Sequence, residues 1–224
     1  MKLQLYFPCK PYTPTQKWGV ANSKYLQFGF LLHNGIDCLL GEDKIVYSPI
    51  KLQITQTGNI PSGAGVFVSG ITLDEFDEWR ASSSIPRKVY LTFMHLKDIL
   101  CKEGDILDIG DPIGHGDNTG FSTGNHLHLF CGRVSERKEG ESGGEYRFVD
   151  EVLKDANYLF DHSYYYTGEY AVDYKARRLK EAEEKRLIEA SQLESLKLKV
   201  ENLQQQVTLW QKVLELFIKL KKLL

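Results

Sequence analysis

After Gly168 the chain contains neither glycine nor proline, whereas before it these residues recur throughout. That break constrains the fold more than any other feature. Closely spaced Gly and Pro forbid a long helix and favour short elements joined by turns, while a long stretch without either is free to run as one helix. The 224 residues therefore divide into a first part, 1–168, and a helical tail, 173–224. At 42% hydrophobic residues, the chain has enough apolar side chains for a sizeable core.

In the first part, short apolar runs alternate with turn signals. Lys44–Tyr47, Leu52–Thr55, Gly65–Val68 and Lys88–Phe93 are bounded by Ser48-Pro49, Asn59, Pro61-Ser62-Gly63 and Ser83-Ser84. This pattern predicts an antiparallel all-β domain, with no βαβ alternation and no internal repeat. Residues Ile71 to Arg87 read as an inserted loop or short helix, and Ser135 to Glu145 as a polar loop. Tyr164–Gly168 closes the domain.

The tail carries a different period. Leu193, Leu196, Val200, Leu203, Val207, Trp210, Leu214 and Phe217 follow at alternating intervals of three and four. That is an a/d seam of the coiled-coil kind, which Leu179 and Ala182 extend only weakly upstream. Val213, Leu216, Ile218, Leu220, Leu223 and Leu224 add a second apolar stripe, punctuated by Lys219, Lys221 and Lys222. The expectation is a homo-oligomer or a helical partner through residues 193–217. A helix folded back on the β domain is the ordinary alternative, and the lysine-punctuated end also suits contact with a membrane interface.

A net charge of −2 gives no general attraction to nucleic acid, and none is expected as a partner. Cys9, Cys38, Cys101 and Cys131 are widely spaced, form no CxxC pair and read as reduced. The N-terminus lacks the pattern of a signal peptide, and no apolar run reaches the length of a membrane span. Synthesis as a soluble cytoplasmic chain is expected.

Chemistry concentrates in His33-Asn34-Gly35-Ile36-Asp37 and in Gly120-Phe121-Ser122-Thr123-Gly124-Asn125-His126-Leu127-His128. In a strand-and-turn setting His33 and Asp37 share a face, and alternation places His126 and His128 together on one face of a strand. His33, Asp37 and His128 can ligate one metal, leaving His126 and His95 for acid–base work. Three such ligands and one open position are what a hydrolytic zinc site needs. Each piece also has an ordinary reading. His33 and Asp37 are common turn residues, His126 and His128 could line an exposed sheet face, and His95 could be a satisfied interior histidine. His115 and His162 have no such company and read as non-catalytic.

With these residues in view, residues 15 to 131 resemble the lysostaphin/LytM-type zinc metallopeptidases, the glycyl-glycine and peptidoglycan endopeptidase family. The likeness rests on His33-x-x-x-Asp37, on Met94-His95-Leu96 and on Asn118-Thr119-Gly120-Phe121-Ser122-Thr123-Gly124-Asn125-His126-Leu127-His128-Leu129. A weaker likeness covers Lys102-Glu103-Gly104-Asp105 and Gly110-Asp111-Pro112-Ile113-Gly114. Leu129, Cys131 and Met94 depart from the usual pattern without removing a ligand, and the resemblance does not reach the tail.

The resemblance implies an all-β, antiparallel metallopeptidase domain of the duplicated-hybrid-motif type, followed here by a long C-terminal α-helix. It implies one Zn²⁺ per chain on His33, Asp37 and His128, a catalytic pair in His95 and His126, and a groove asparagine at Asn22. The activity it implies is hydrolysis of peptide crosslinks in bacterial peptidoglycan. Without a signal peptide, such an enzyme would reach the cell wall as a phage lysin or a virion component. The competing expectation is a non-catalytic LytM-like module whose helical tail mediates assembly or recruits a hydrolase.

Overall fold

The β-branched and aromatic run from Val89 becomes the longest strand and the spine of a large sheet. The computed structural model describes residues 2–28, 32–76, 88–133 and 161–223. In chain order the strands are β1 (Leu5–Phe7), β2 (Thr13–Gln16), β3 (Ile36–Leu39), β4 (Ile45–Tyr47), β5 (Leu52–Ile60), β6 (Gly65–Thr72), β7 (Val89–Ile99), β8 (Ile106–Leu107), β9 (Pro112–Gly116), β10 (Leu127–Arg133) and β11 (Tyr166–Tyr170). A 3-10 helix spans Ser23–Phe28, and one long helix, α1, spans Ala171–Leu223.

Among the described residues, nine strands form one antiparallel sheet in the order β2-β3-β10-β7-β6-β5-β8, with β9 pairing both β7 and β4. The all-β expectation with a long C-terminal helix thus holds. One pairing departs from it: β1 and β11 run parallel as a separate two-stranded sheet. They come from the two ends of the β unit, so no hairpin turn could announce them. The pairing also carries the β unit through Tyr170, beyond the Gly168 limit read from composition.

Strand β7 is buried along most of its length because it packs on both faces. Val89, Leu91 and Phe93 point into the main core, which also holds Leu52, Ile54, Ile113, Leu127 and Leu129. Tyr90 and Met94 join Phe67 and Phe130 in a second cluster. After Met94 the alternation changes phase, since Leu96 returns to the main core. The register explains why. Val66 pairs Leu96 and Val68 pairs Phe93, so β7 uses one residue more than β6 over this interval. The extra residue is a β-bulge at His95, whose φ is +63°. Bulges re-aim side chains, and here the re-aimed side chain is a histidine.

Residues 71–76 correct part of the insert reading. Ile71 and Thr72 continue β6, and Phe76 is buried in the main core. The rest of that insert (77–87) and the polar loop (135–145) lie outside the described residues. All four cysteines are free, and Cys9, Cys38 and Cys131 are buried.

The described chain forms two compact units, residues 1–176 and 177–224. The first turns of α1 belong to the β unit. Ala171 is fully buried, Lys10 pairs with Asp173 at 2.9 Å, Lys175 pairs with Asp111, and the rings of Tyr6 and Tyr174 lie 4.4 Å apart. No helix among the described residues is long and apolar enough to cross a membrane.

Candidate metal centre

Strands β3 and β10 are direct neighbours, and their register sets His128 opposite Asp37. His33 stands just before β3, its backbone bonded to Val20 and Gly19. The three side chains converge. His128 Nδ1 lies 2.8 Å from Asp37 Oδ1, His33 Nε2 lies 3.2 Å from that oxygen, and the two nitrogens are 3.1 Å apart. Two ligands about 2.0 to 2.1 Å from a tetrahedral zinc are roughly 3.3 Å from each other, so the triangle is close to the size the ion requires.

The donor chemistry agrees with that size. His33 Nδ1 sits 3.0 Å from the carbonyl of Lys17, which can only accept, so Nδ1 carries a proton there and Nε2 is the nitrogen turned toward the triangle. Asp37 contributes a carboxylate. Burial opposes its ionisation, but contacts with His126, His128 and His33 outweigh this and hold it well below the usual carboxylate range. Burial lowers the pKa of His128, with Asp37 opposing, so its ring is inclined to be neutral. His128 turns Nδ1 toward Asp37 and His33, so Nδ1 is the nitrogen placed to ligate. These residues form a group able to hold one metal ion, and one Zn²⁺ fits it.

Gly35 makes the packing possible. A Cβ there would lie 2.6 Å from His128 Nε2 and 2.6 Å from the Leu129 carbonyl. The ring of Tyr25 stacks on His33 at 5.4 Å, and its hydroxyl accepts from Gln16 Nε2 at 2.6 Å.

The two remaining histidines border the same groove, which encloses about 500 Å³. His95 Nδ1 donates to the Thr119 carbonyl at 2.8 Å, leaving Nε2 for a ligand. Burial, then the neighbouring His128 and His126, lower its pKa to about 3, so the ring is neutral near pH 7. His126 Nδ1 donates to the Gly124 carbonyl at 2.7 Å, and its Nε2 lies 3.5 Å from Asp37 Oδ1. Burial would lower the His126 pKa, but Asp37 reverses this and raises it. The rings of His95 and His126 are 4.8 Å apart.

His126 is reached differently from the sequence expectation. It precedes β10 and bridges to Asp117, rather than sharing a regular strand face with His128. Asn22 does line the groove, but its Oδ1 accepts from the backbone of Lys24 at the start of the 3-10 helix. His115 pairs with Asp98 at 2.8 Å and His162 is buried, neither of them lining the groove. Sequence reasoning missed the Lys17 and Thr119 carbonyls, Tyr25 and the bulge. Gly35, standing inside the ligand motif, was the one signal of close packing it could have used.

No family model matches the chain. A stretch of 40 residues is 58% identical to a protein of Buchnera aphidicola subsp. Baizongia pistaciae named an uncharacterized metalloprotease, covering 17% of this chain and 11% of that one. Among solved structures, a zinc containing peptidase from Vibrio cholerae is similar with a TM-score of 0.46 and 22% identity, over 58% of this chain and 36% of the other. The catalytic domain of lysostaphin from Staphylococcus simulans is similar with a TM-score of 0.44 and 22% identity, over 64% and 93%. LytU is similar with a TM-score of 0.45 and 21% identity, over 68% and 83%. The chain resembles the lysostaphin/LytM-type zinc metallopeptidases.

Proposed function

We propose that the protein is a zinc-dependent endopeptidase that hydrolyses peptide crosslinks of bacterial peptidoglycan and acts at the cell wall. The observation that carries the reading is the convergence of His33 Nε2, Asp37 Oδ1 and His128 Nδ1, each within 3.2 Å of the others, on a groove that two further histidines border. The likeness of a short stretch to a metalloprotease supports it.

A bound zinc would supply Lewis acidity and a water of lowered pKa. The chain's own residues do the rest. His33, Asp37 and His128 would hold the ion. His95, fixed through Nδ1 by the Thr119 carbonyl, offers Nε2 as a proton acceptor. His126, fixed through Nδ1 by Gly124, offers its Nε2 beside Asp37. Together they can take a proton from an attacking water and return one to a leaving amine. The rings of Phe28 and Phe121, 5.1 Å apart, wall the groove on one side, and its open form suits an extended peptide with small side chains.

The test compares zinc content and clearance of a peptidoglycan suspension for the wild type and His128→Ala. Stoichiometric zinc with clearance, both lost in the variant, is the expected result. A wild type that binds no zinc, or a variant that clears as well, overturns the reading.

A further inference from the structure

The eight seam residues of α1 are all more than half exposed, from Val200 at 52% to Trp210 at 69% and Phe217 at 70%. We propose that residues 193–217 pair with the same residues of a second copy in a parallel, two-stranded coiled coil. This rests on the tail alone and is independent of the function proposed above.

Three observations carry it. The first is the choice of side chains. The spacing makes Leu193, Val200, Val207 and Leu214 the a positions, and Leu196, Leu203, Trp210 and Phe217 the d positions. Valine at two of the four a positions and leucine at two of the four d positions favour two strands. The second is area. At roughly 60 to 120 Å² for each buried apolar side chain, the seam would bury on the order of 700 Å² per copy. A stable interface of standard size takes about 800 Å² per partner.

The third observation sets the orientation. In a parallel pair, each g residue faces the e residue of the next heptad on the other helix. Val213 of one copy then meets Ile218 of the other, and Lys199 meets Gln204. Apolar residues oppose apolar ones, and no like charges face each other. In an antiparallel pair g faces g, which sets Val213 against Lys199 and Leu220 against Gln192. The parallel arrangement avoids both of these mismatches.

The experiment is sedimentation equilibrium of the full chain at micromolar concentration. Twice the chain mass of 25.7 kDa is expected. A single-chain mass overturns the proposal, and a three- or four-chain mass overturns the two-stranded assignment. Val200→Glu combined with Leu203→Glu is expected to give the single-chain mass. Leu198→Glu, outside the seam, is expected to leave the mass doubled. A dimer that survives the seam variant associates elsewhere and overturns the proposal. Trp210→Cys reads orientation, because equivalent d residues touch only in a parallel pair. Oxidation should yield a covalent dimer in this variant and none in the wild type. A doubled mass without the covalent bond overturns the parallel alignment.

Discussion

The Nε2 atom of His33 points at the Nδ1 atom of His128 from 3.1 Å while its own proton is committed to the Lys17 carbonyl on the far side of the ring. Two imidazole nitrogens and a carboxylate oxygen therefore share one small space. A cation relieves that crowding of electron density, and the first prediction follows from it. Zinc added to metal-stripped protein should raise the melting temperature, with a gain of about 2.7 kcal/mol when free zinc is 100 times its dissociation constant. His33→Ala should abolish the response. Thermal melts with and without zinc check this, and an equal rise in the variant would place the metal elsewhere.

Gly35→Ala should damage the centre without touching a ligand. The added methyl would stand 2.6 Å from both a ring nitrogen and a backbone carbonyl, and neither can give way without moving β10. Overpacking of this kind costs about 1 to 3 kcal/mol. Zinc affinity should fall together with the denaturation midpoint. A variant with unchanged metal titration would show that the ring does not need its present seat.

His95 combines a strained backbone with a site that would handle protons. A φ of +63° costs most side chains roughly 1 to 2 kcal/mol, but asparagine tolerates this conformation. His95→Asn is therefore expected to be at least as stable as His95→Ala. Both should lose turnover by about 10²- to 10⁴-fold, the usual contribution of a general acid or base. Paired urea melts and rate assays distinguish the two effects, and a His95→Asn enzyme of normal rate would remove His95 from the chemistry.

His162 gives the fold an acid sensitivity. Its ring is fully buried, neither nitrogen has a hydrogen-bond partner among the described residues, and burial lowers its pKa to about 3. Above pH 6.5 the ring is neutral in both folded and unfolded chains, and it adds no pH dependence. Below 6.5 the unfolded chain takes up a proton that the folded one refuses. Stability then falls by on the order of 1 kcal/mol per pH unit until pH nears 3. His162→Phe should lose less stability than the wild type between pH 7 and pH 5. Equal losses in urea melts at the two pH values would exclude His162 as the cause.

The sequence shows the ligands more readily than it shows what holds them. His33, Asp37 and His128 fall in two short motifs, and the long C-terminal helix follows from the absence of Gly and Pro, although it starts at Ala171 rather than at 173. The supporting contacts are backbone groups, and backbone leaves no mark in residue type. Nothing in the identity of Lys17 or Thr119 says that its carbonyl anchors a histidine. The bulge at His95 was hidden for a related reason. It is a property of β7 measured against β6, and the alternation of one strand read alone does not contain it. The β1–β11 pairing joins segments separated by about 160 residues, beyond any local pattern.

The ladder between β3 and β10 has a consequence for assembly. His128 faces Asp37 in one alignment only, and a slip of a single residue would turn every side chain of one strand to the opposite face. The ion and the sheet thus check each other. A misaligned chain has no complete set of ligands to offer, so a bound zinc would favour the correctly paired strands over a slipped pairing.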